Sequence, residues 1–303
     1  MPAASKKLLI LAILEILRRH TDADHRLRQA DIIKRLESEY ELTATRKSVR
    51  ANLTDLQAAG YPIEYRGGWY YDHEFCEAEL NLLADSLLYN PNIPYRQCRE
   101  LIEKIRDLGG EHYRPMRATG ANRPANPQFL YTLDTLHEAI DKGRRVTFRY
   151  GLYDVDKQIH VRMEGDAPKV YDVNPYRVVL SGGRYYLICN VDKYDMVTHF
   201  RLDRIVEIKL TEFPAKDAGE VRGLENGLNL PEYLTGHAHM FTGETQLVRR
   251  RADRAVVPDL LDWFGMDTRF ENVTDDTVEA IIRTDELSLK YWLKMFGEYA
   301  GRV

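Results

Sequence analysis

The stretch NPYRVVLSGGRYYLICNVDKYDMVTHFRLDRI, residues 174–205, alternates short β-prone runs with tight turns. Residues 177–180, 184–191 and 196–202 are rich in Val, Ile, Tyr, Leu and Phe. Ser181-Gly182-Gly183 and residues 192–195 separate them as hairpin turns, where glycine supplies the positive φ that most residues avoid. Working outward, residues 145–150 (RVTFRY), 170–173 and 205–210 read as further strands, and residues 129–142 before them form an amphipathic helix that ends at Gly143. Five or six short strands at close spacing after one helix predict a small barrel. Arg149 and Tyr150 end one strand, Tyr176 and Arg177 lie on a second, and His199 and Arg201 on a third, with Arg204 just beyond. Alternate residues of a strand share a face, so His199 and Arg201 point the same way. Guanidinium forks match phosphate and aromatic rings stack on bases, so this set reads as an anion pocket.

The same run resembles the WYL domain, an Sm/SH3-like barrel named for a Trp-Tyr-Leu triplet. Here the triplet is Tyr185-Tyr186-Leu187, with one large ring in place of another. The helix, RRVTFRY, the Pro175 strand, the Gly-Gly turn and the closing HFRLDRI fall in the family's order over about residues 129–213. The resemblance implies a domain that binds nucleotides or single-stranded nucleic acid. It carries the ligand role to Tyr186, His199, Arg201 and Arg204, and also to Arg149 and Tyr176.

Residues 1–72 read as three helices and a hairpin. Leu8, Leu11, Ile13, Leu14 and Leu17 recur at helical spacing, and Ile32, Ile33 and Leu36 mark a second helix over residues 28–40. A third starts near Thr45, with Val49, Leu53 and Leu56 inward, and stops at Gly60 before Pro62. Its outer side carries Thr45, Arg46, Lys47, Ser48, Arg50 and Asn52, with no acid before Asp55. Such a face suits base edges and phosphates in a major groove. The β-prone runs either side of Gly67-Gly68 form a wing with Arg66 at its tip. The segment resembles the winged helix of DeoR-like regulators.

Residues 73–128 form a connector: amphipathic helices at 77–89 and 95–108, then a Pro-, Gly- and Asn-rich linker over 114–128. Residues 214–303 read as β-α-β-β-α and resemble the extension that follows WYL domains, which contributes to dimerisation and normally continues through another strand after the position of Gly297, so a shortened extension is expected here. His237-Ala238-His239 lacks a third ligand at metal-site spacing, so no metal or cofactor is expected.

With 303 residues and a net charge of −4, the chain has no overall attraction to nucleic acid, so DNA contact requires a local basic face. Three scattered cysteines give no disulfide frame, which suits the cytoplasm. Residues 8–17 are apolar but interrupted by Glu15 and far short of a membrane span. Nucleophile-elbow, P-loop and zinc-protease motifs are absent, so a non-enzyme is expected.

The expectation is an α+β multidomain chain with a winged helix-turn-helix (1–72), helical connector (73–128), WYL barrel (129–213) and C-terminal α/β extension (214–303). Its expected function is that of a homodimeric transcriptional regulator that binds a double-stranded operator and senses a nucleotide or single strand. The alternative is an accessory protein that binds RNA or single-stranded DNA for a nucleic-acid-processing or defence system.

Overall fold

The computed structural model describes residues 6–115, 126–237 and 239–302, so residues 116–125 of the expected linker lie outside the described residues. It is a mixed α+β chain of two compact units, Met1–Asn90 with Tyr95–Asn122, and Pro91–Pro94 with Arg123–Val303.

In the first unit, helices α1 (Lys6–His20), α2 (Gln29–Tyr40) and α3 (Arg46–Ala58) pack around Ile13, Ile16, Leu17, Ile32, Leu36, Val49 and Leu53. Leu8 and Leu11, expected inward, are instead 53% and 60% exposed, while Ala12 and Ile16 are buried. The first helix is apolar nearly all round, so periodicity alone did not select its inner face. Thr45 caps α3 by accepting the Ser48 N–H at 3.2 Å. Strands β1 (Ile63–Tyr65) and β2 (Trp69–Tyr71) form the wing, and Leu27 bridges to Trp69 beside them. Gly68 is required there, because a Cβ would lie 2.8 Å from that of Arg26. Helices α4 (Glu77–Leu88) and α5 (Tyr95–Leu108) complete the unit.

The second unit opens with α6 (Phe129–Asp141), followed by β3 (Arg144–Tyr153), β4 (Ile159–Val161), β5 (Met163–Glu164) and β6 (Ala167–Pro168). Then come β7 (Val170–Ser181), β8 (Arg184–Val191), β9 (Val197–Arg201), a 3-10 turn at Leu202–Arg204, and β10 (Ile205–Pro214). The expected breaks at Pro175 and Tyr176 are a bulge within one long strand. Gly182 and Gly183, at φ 53° and 72°, form the two-residue turn into β8.

The sheet order is β10-β3-β7-β8-β9, with β4 on β3. In a flat sheet β3 and β9 would lie about 14 Å apart, three strand spacings. Instead Phe200 of β9 meets Phe148 and Tyr150 of β3 at ring distances of 5.1 and 4.9 Å. The sheet therefore curls tightly around these rings and Tyr171, although among the described residues β9 and β10 share no ladder that would close the expected barrel.

The C-terminal part adds α7 (Leu230–Gly236), β11 (Gln246–Asp253), α8 (Val257–Phe264), β12 (Arg269–Glu271), β13 (Thr277–Thr284), α9 (Glu286–Phe296) and β14 (Ala300–Arg302). Its sheet runs β12-β13-β11-β14 around a core containing Leu260, Phe264 and Trp292. A short strand does follow Gly297, β14, paired with β11, where a shortened extension was expected. Among the described residues no helix is long and apolar enough to cross a membrane.

Candidate functional site

Tyr186 of β8 stands opposite Arg201 of β9, and Ile188 opposite His199. Cross-strand partners share a face, so these four side chains project together, away from Leu187 and Phe200. Residues after β10 cover that face: Val221, Leu224 and Met240 pack with Ile188, Val179 and Val197. Where this cover ends, a cavity of about 530 Å3 opens. The curled sheet contributes Tyr150, Tyr186, His199, Arg201 and Arg204, and the C-terminal part contributes His239, Met240, Phe241, Trp263, Tyr291, Lys294 and Met295.

The charged groups lining it are all cations: Arg201, Arg204 and Lys294. Asp203, 2% exposed, grips Arg201 at two points, Nε to Oδ1 at 3.0 Å and Nη2 to Oδ2 at 2.6 Å. Burial works against the charge of Arg201, but these bonds outweigh it and raise its pKa. The Arg201 amide donates to Tyr150 Oη at 3.2 Å, which ties β9 to β3. Arg204 differs. Among the described residues no carboxylate pairs with it, and its buried Nε has no hydrogen-bond partner. A half-buried cation without a counter-charge favours a bound anion.

Aromatic rings supply the remaining walls. Phe241 stacks on Tyr291 at 5.4 Å, His239 meets Trp263 edge-on at 4.2 Å, and Lys294 lies 5.4 Å from the Tyr291 ring centre. A planar ring beside a phosphate would meet both chemistries in one cavity.

Of the six residues expected to hold ligand, Tyr186, His199, Arg201 and Arg204 meet at this cavity, and Arg149 and Tyr176 do not. Arg149 sits on the opposite face of β3 from Tyr150 and is taken by Glu207 at 2.6 Å. Tyr176 packs against the apolar cluster under the cover, its buried hydroxyl without a partner among the described residues and its pKa pushed up by burial. His199 reaches the cavity but not as a cation. Burial, aided by neighbouring His237, pushes its pKa down to about 3, and Nε2 lies 2.7 Å from Tyr233 Oη. It is therefore a neutral hydrogen-bonding group. Sequence reading missed the far wall (Phe241, Trp263, Tyr291 and Lys294), because no spacing links those residues to the strands they face. His237 and His239 form no chelate: His237 sits between the carbonyls of Tyr233 and Gly243, while His239 turns to Trp263.

On the first unit, Arg46, Lys47 and Arg50 stand exposed along one side of α3, and no ion pair holds them among the described residues. Thr45 is committed to the cap, and Asn52 donates to the Ser48 carbonyl at 2.8 Å. Arg66 pairs with Glu64 at 2.9 Å and lies over Tyr70. A larger cavity, about 920 Å3, sets Arg18, Arg19, Arg99, Arg106 and Arg114 against Glu15, Glu103, Asp107 and Glu111. Its charges nearly cancel, so it lacks the one-signed lining of the site on the curled sheet.

A short helix, a tightly curled five-strand path and a cationic, aromatic cavity at β8 and β9 characterise this small domain. Residues 131–210 match the family model of the WYL domain, so this part of the chain is a WYL domain. Among solved structures, proteasome accessory factor B/C (PafBC) of Arthrobacter aurescens is similar at 17% identity and a TM-score of 0.30. That similarity covers 99% of this chain and 46% of the other, so this chain spans about half its length. No curated protein matches the sequence.

Proposed function

We propose that this protein is a cytoplasmic, non-enzymatic transcriptional regulator that binds duplex DNA through α3 and the wing and responds to a phosphate-bearing ligand, a nucleotide or a single strand. The observation that carries the ligand half is Arg204: a half-buried cation without a counter-charge, beside Arg201 and Lys294, in a cavity walled by rings. The DNA half rests on Arg46, Lys47 and Arg50 of α3, exposed and without an ion pair among the described residues. A homodimer would place two such helices on successive half-sites of a palindromic or repeated operator. Ligand would change DNA affinity only by binding the competent and incompetent states unequally.

Fluorescence anisotropy with duplex from upstream of the protein's own gene, a scrambled duplex and a single strand tests this reading at two salt concentrations. Preference for the upstream duplex that survives physiological salt supports it. Preference for the single strand, or equal weak binding to every duplex, favours the accessory-protein reading instead.

A further inference from the structure

Asp22 and His25, in the loop between α1 and α2, meet His112, which follows α5, within the first unit. One ligand-type atom from each lies within 4.8 Å of the others. The loop is pre-shaped: Asp22 Oδ1 accepts the N–H groups of Asp24 and His25 at 2.8 and 2.7 Å, which holds its carboxylate toward the two rings. His25 Nδ1 lies 2.9 Å from both Asp22 oxygens. His112 Nε2 faces the carbonyl oxygen of His20 at 3.3 Å, and donating there leaves the Nδ1 lone pair free. A histidine whose second nitrogen donates to a backbone carbonyl is the usual arrangement of a metal ligand. Neighbouring Glu111 is not a fourth ligand, since His20 Nδ1, at 2.6 Å, and Arg35 take its carboxylate.

We infer that Asp22, His25 and His112 bind a divalent first-row transition ion such as Zn2+, which clamps the connector to the DNA-binding domain. Two imidazoles and a carboxylate suit that class, and a fourth position would remain for water. The His25 and His112 rings now stack at 3.7 Å and 12°, so they must fan apart to aim both lone pairs at one ion. His25 is exposed and His112 partly so, which permits this swing and gives an ion entry. The loop also reaches the wing: Arg26 donates to the Arg66 carbonyl at 2.5 Å, and Leu27 pairs with Trp69. An ion at Asp22 and His25 would therefore steady the wing as well as the connector.

The test uses tag-free, full-length protein stripped with a chelator and desalted. Zn2+ is expected to raise the thermal midpoint by several degrees, and Co2+ to give the visible absorption of a ligated ion. The double variant His25→Ala/His112→Ala should lose both responses while still unfolding cooperatively. Its affinity should fall by more than the roughly 10–100-fold typical of losing an outer partner of a ligand. If the double variant does not fold, His25→Gln serves, because His25 is exposed and its ring bonds Asp22 and stacks on His112 rather than filling a core. Wild type that ignores both ions, or a variant that responds as wild type does, overturns the site.

Discussion

Asp203 holds Arg201 by two parallel bonds yet leaves Arg204, one residue further on, without a carboxylate. The 3-10 turn at Leu202–Arg204 produces this asymmetry, burying Asp203 beneath the guanidinium of Arg201 while Arg204 faces the cavity. One cation is thereby fixed in place and its neighbour is available to a ligand.

Removing the acid should be costly. Asp203→Asn strands Arg201 partly buried without its charge partner, and such losses cost about 3 kcal/mol. Urea unfolding of variant and wild type at pH 7.5 measures the difference. A change under about 0.5 kcal/mol, the scale of ordinary surface substitutions, would mean that the pair does not anchor the turn.

Arg204 should behave in the opposite way. Arg204→Met removes an uncompensated charge and a buried, unbonded Nε, so stability should hold or rise slightly. Binding of a fluorescent nucleotide or short single strand should nevertheless weaken by about tenfold or more, the scale of a lost charged hydrogen bond. Titration of both proteins at equal salt decides it, and undiminished affinity would remove Arg204 from the site.

His199 links stability to acid. Its folded pKa of about 3 lies below its ordinary 6.5, so below about pH 6.5 the unfolded chain binds a proton that the folded chain refuses. The stability contributed is complete above that value and declines as pH falls toward about 3. Between pH 7.5 and 5.5 the loss amounts to about 1.4 kcal/mol. Chemical denaturation at both values should show it in wild type and not in His199→Gln, after allowance for the other titrating groups common to both. Equal losses in the two proteins would contradict the buried, neutral state.

On the DNA side, Arg46→Glu/Arg50→Glu should abolish duplex binding while leaving ligand titrations unchanged. Neither side chain enters the core of α3, whose buried positions are Val49, Leu53 and Leu56. Lys47→Ala should weaken all duplexes alike and lower the salt slope by about 1, as expected of a phosphate contact. Persistence of duplex binding in the double charge swap would move the interface off this helix.

The α3 assignment was legible because its signals are local. Thr45 as cap, apolar residues at positions 49, 53 and 56, and Gly60 beyond the end all act within a few residues of one another. The curled sheet was legible for the same reason, since Gly182-Gly183 dictates its own turn and strand alternation sets His199 and Arg201 on one face. Arg149 lies away from the cavity because its neighbour Tyr150 took the cavity side of β3, a choice set by sheet register. Tyr176 also lies away from it, because β7 continues through a bulge, which places its ring under a cover that sequence patterning barely marked.

The sequence by itself determined the helices, the hairpins, the strand alternation and the concentration of cations on α3 and around β9. These depend on backbone periodicity and turn chemistry, which neighbouring residues encode. Only the tertiary structure decided that Arg201 would be paired with Asp203 while Arg204 has no carboxylate partner among the described residues, that Trp263, Tyr291 and Lys294 would wall the same cavity, and that His112 would reach Asp22 and His25. Those outcomes require chain segments remote in sequence to meet. Which segments meet depends on how tightly the sheet curls and which helix faces are buried, and no local pattern carries that information.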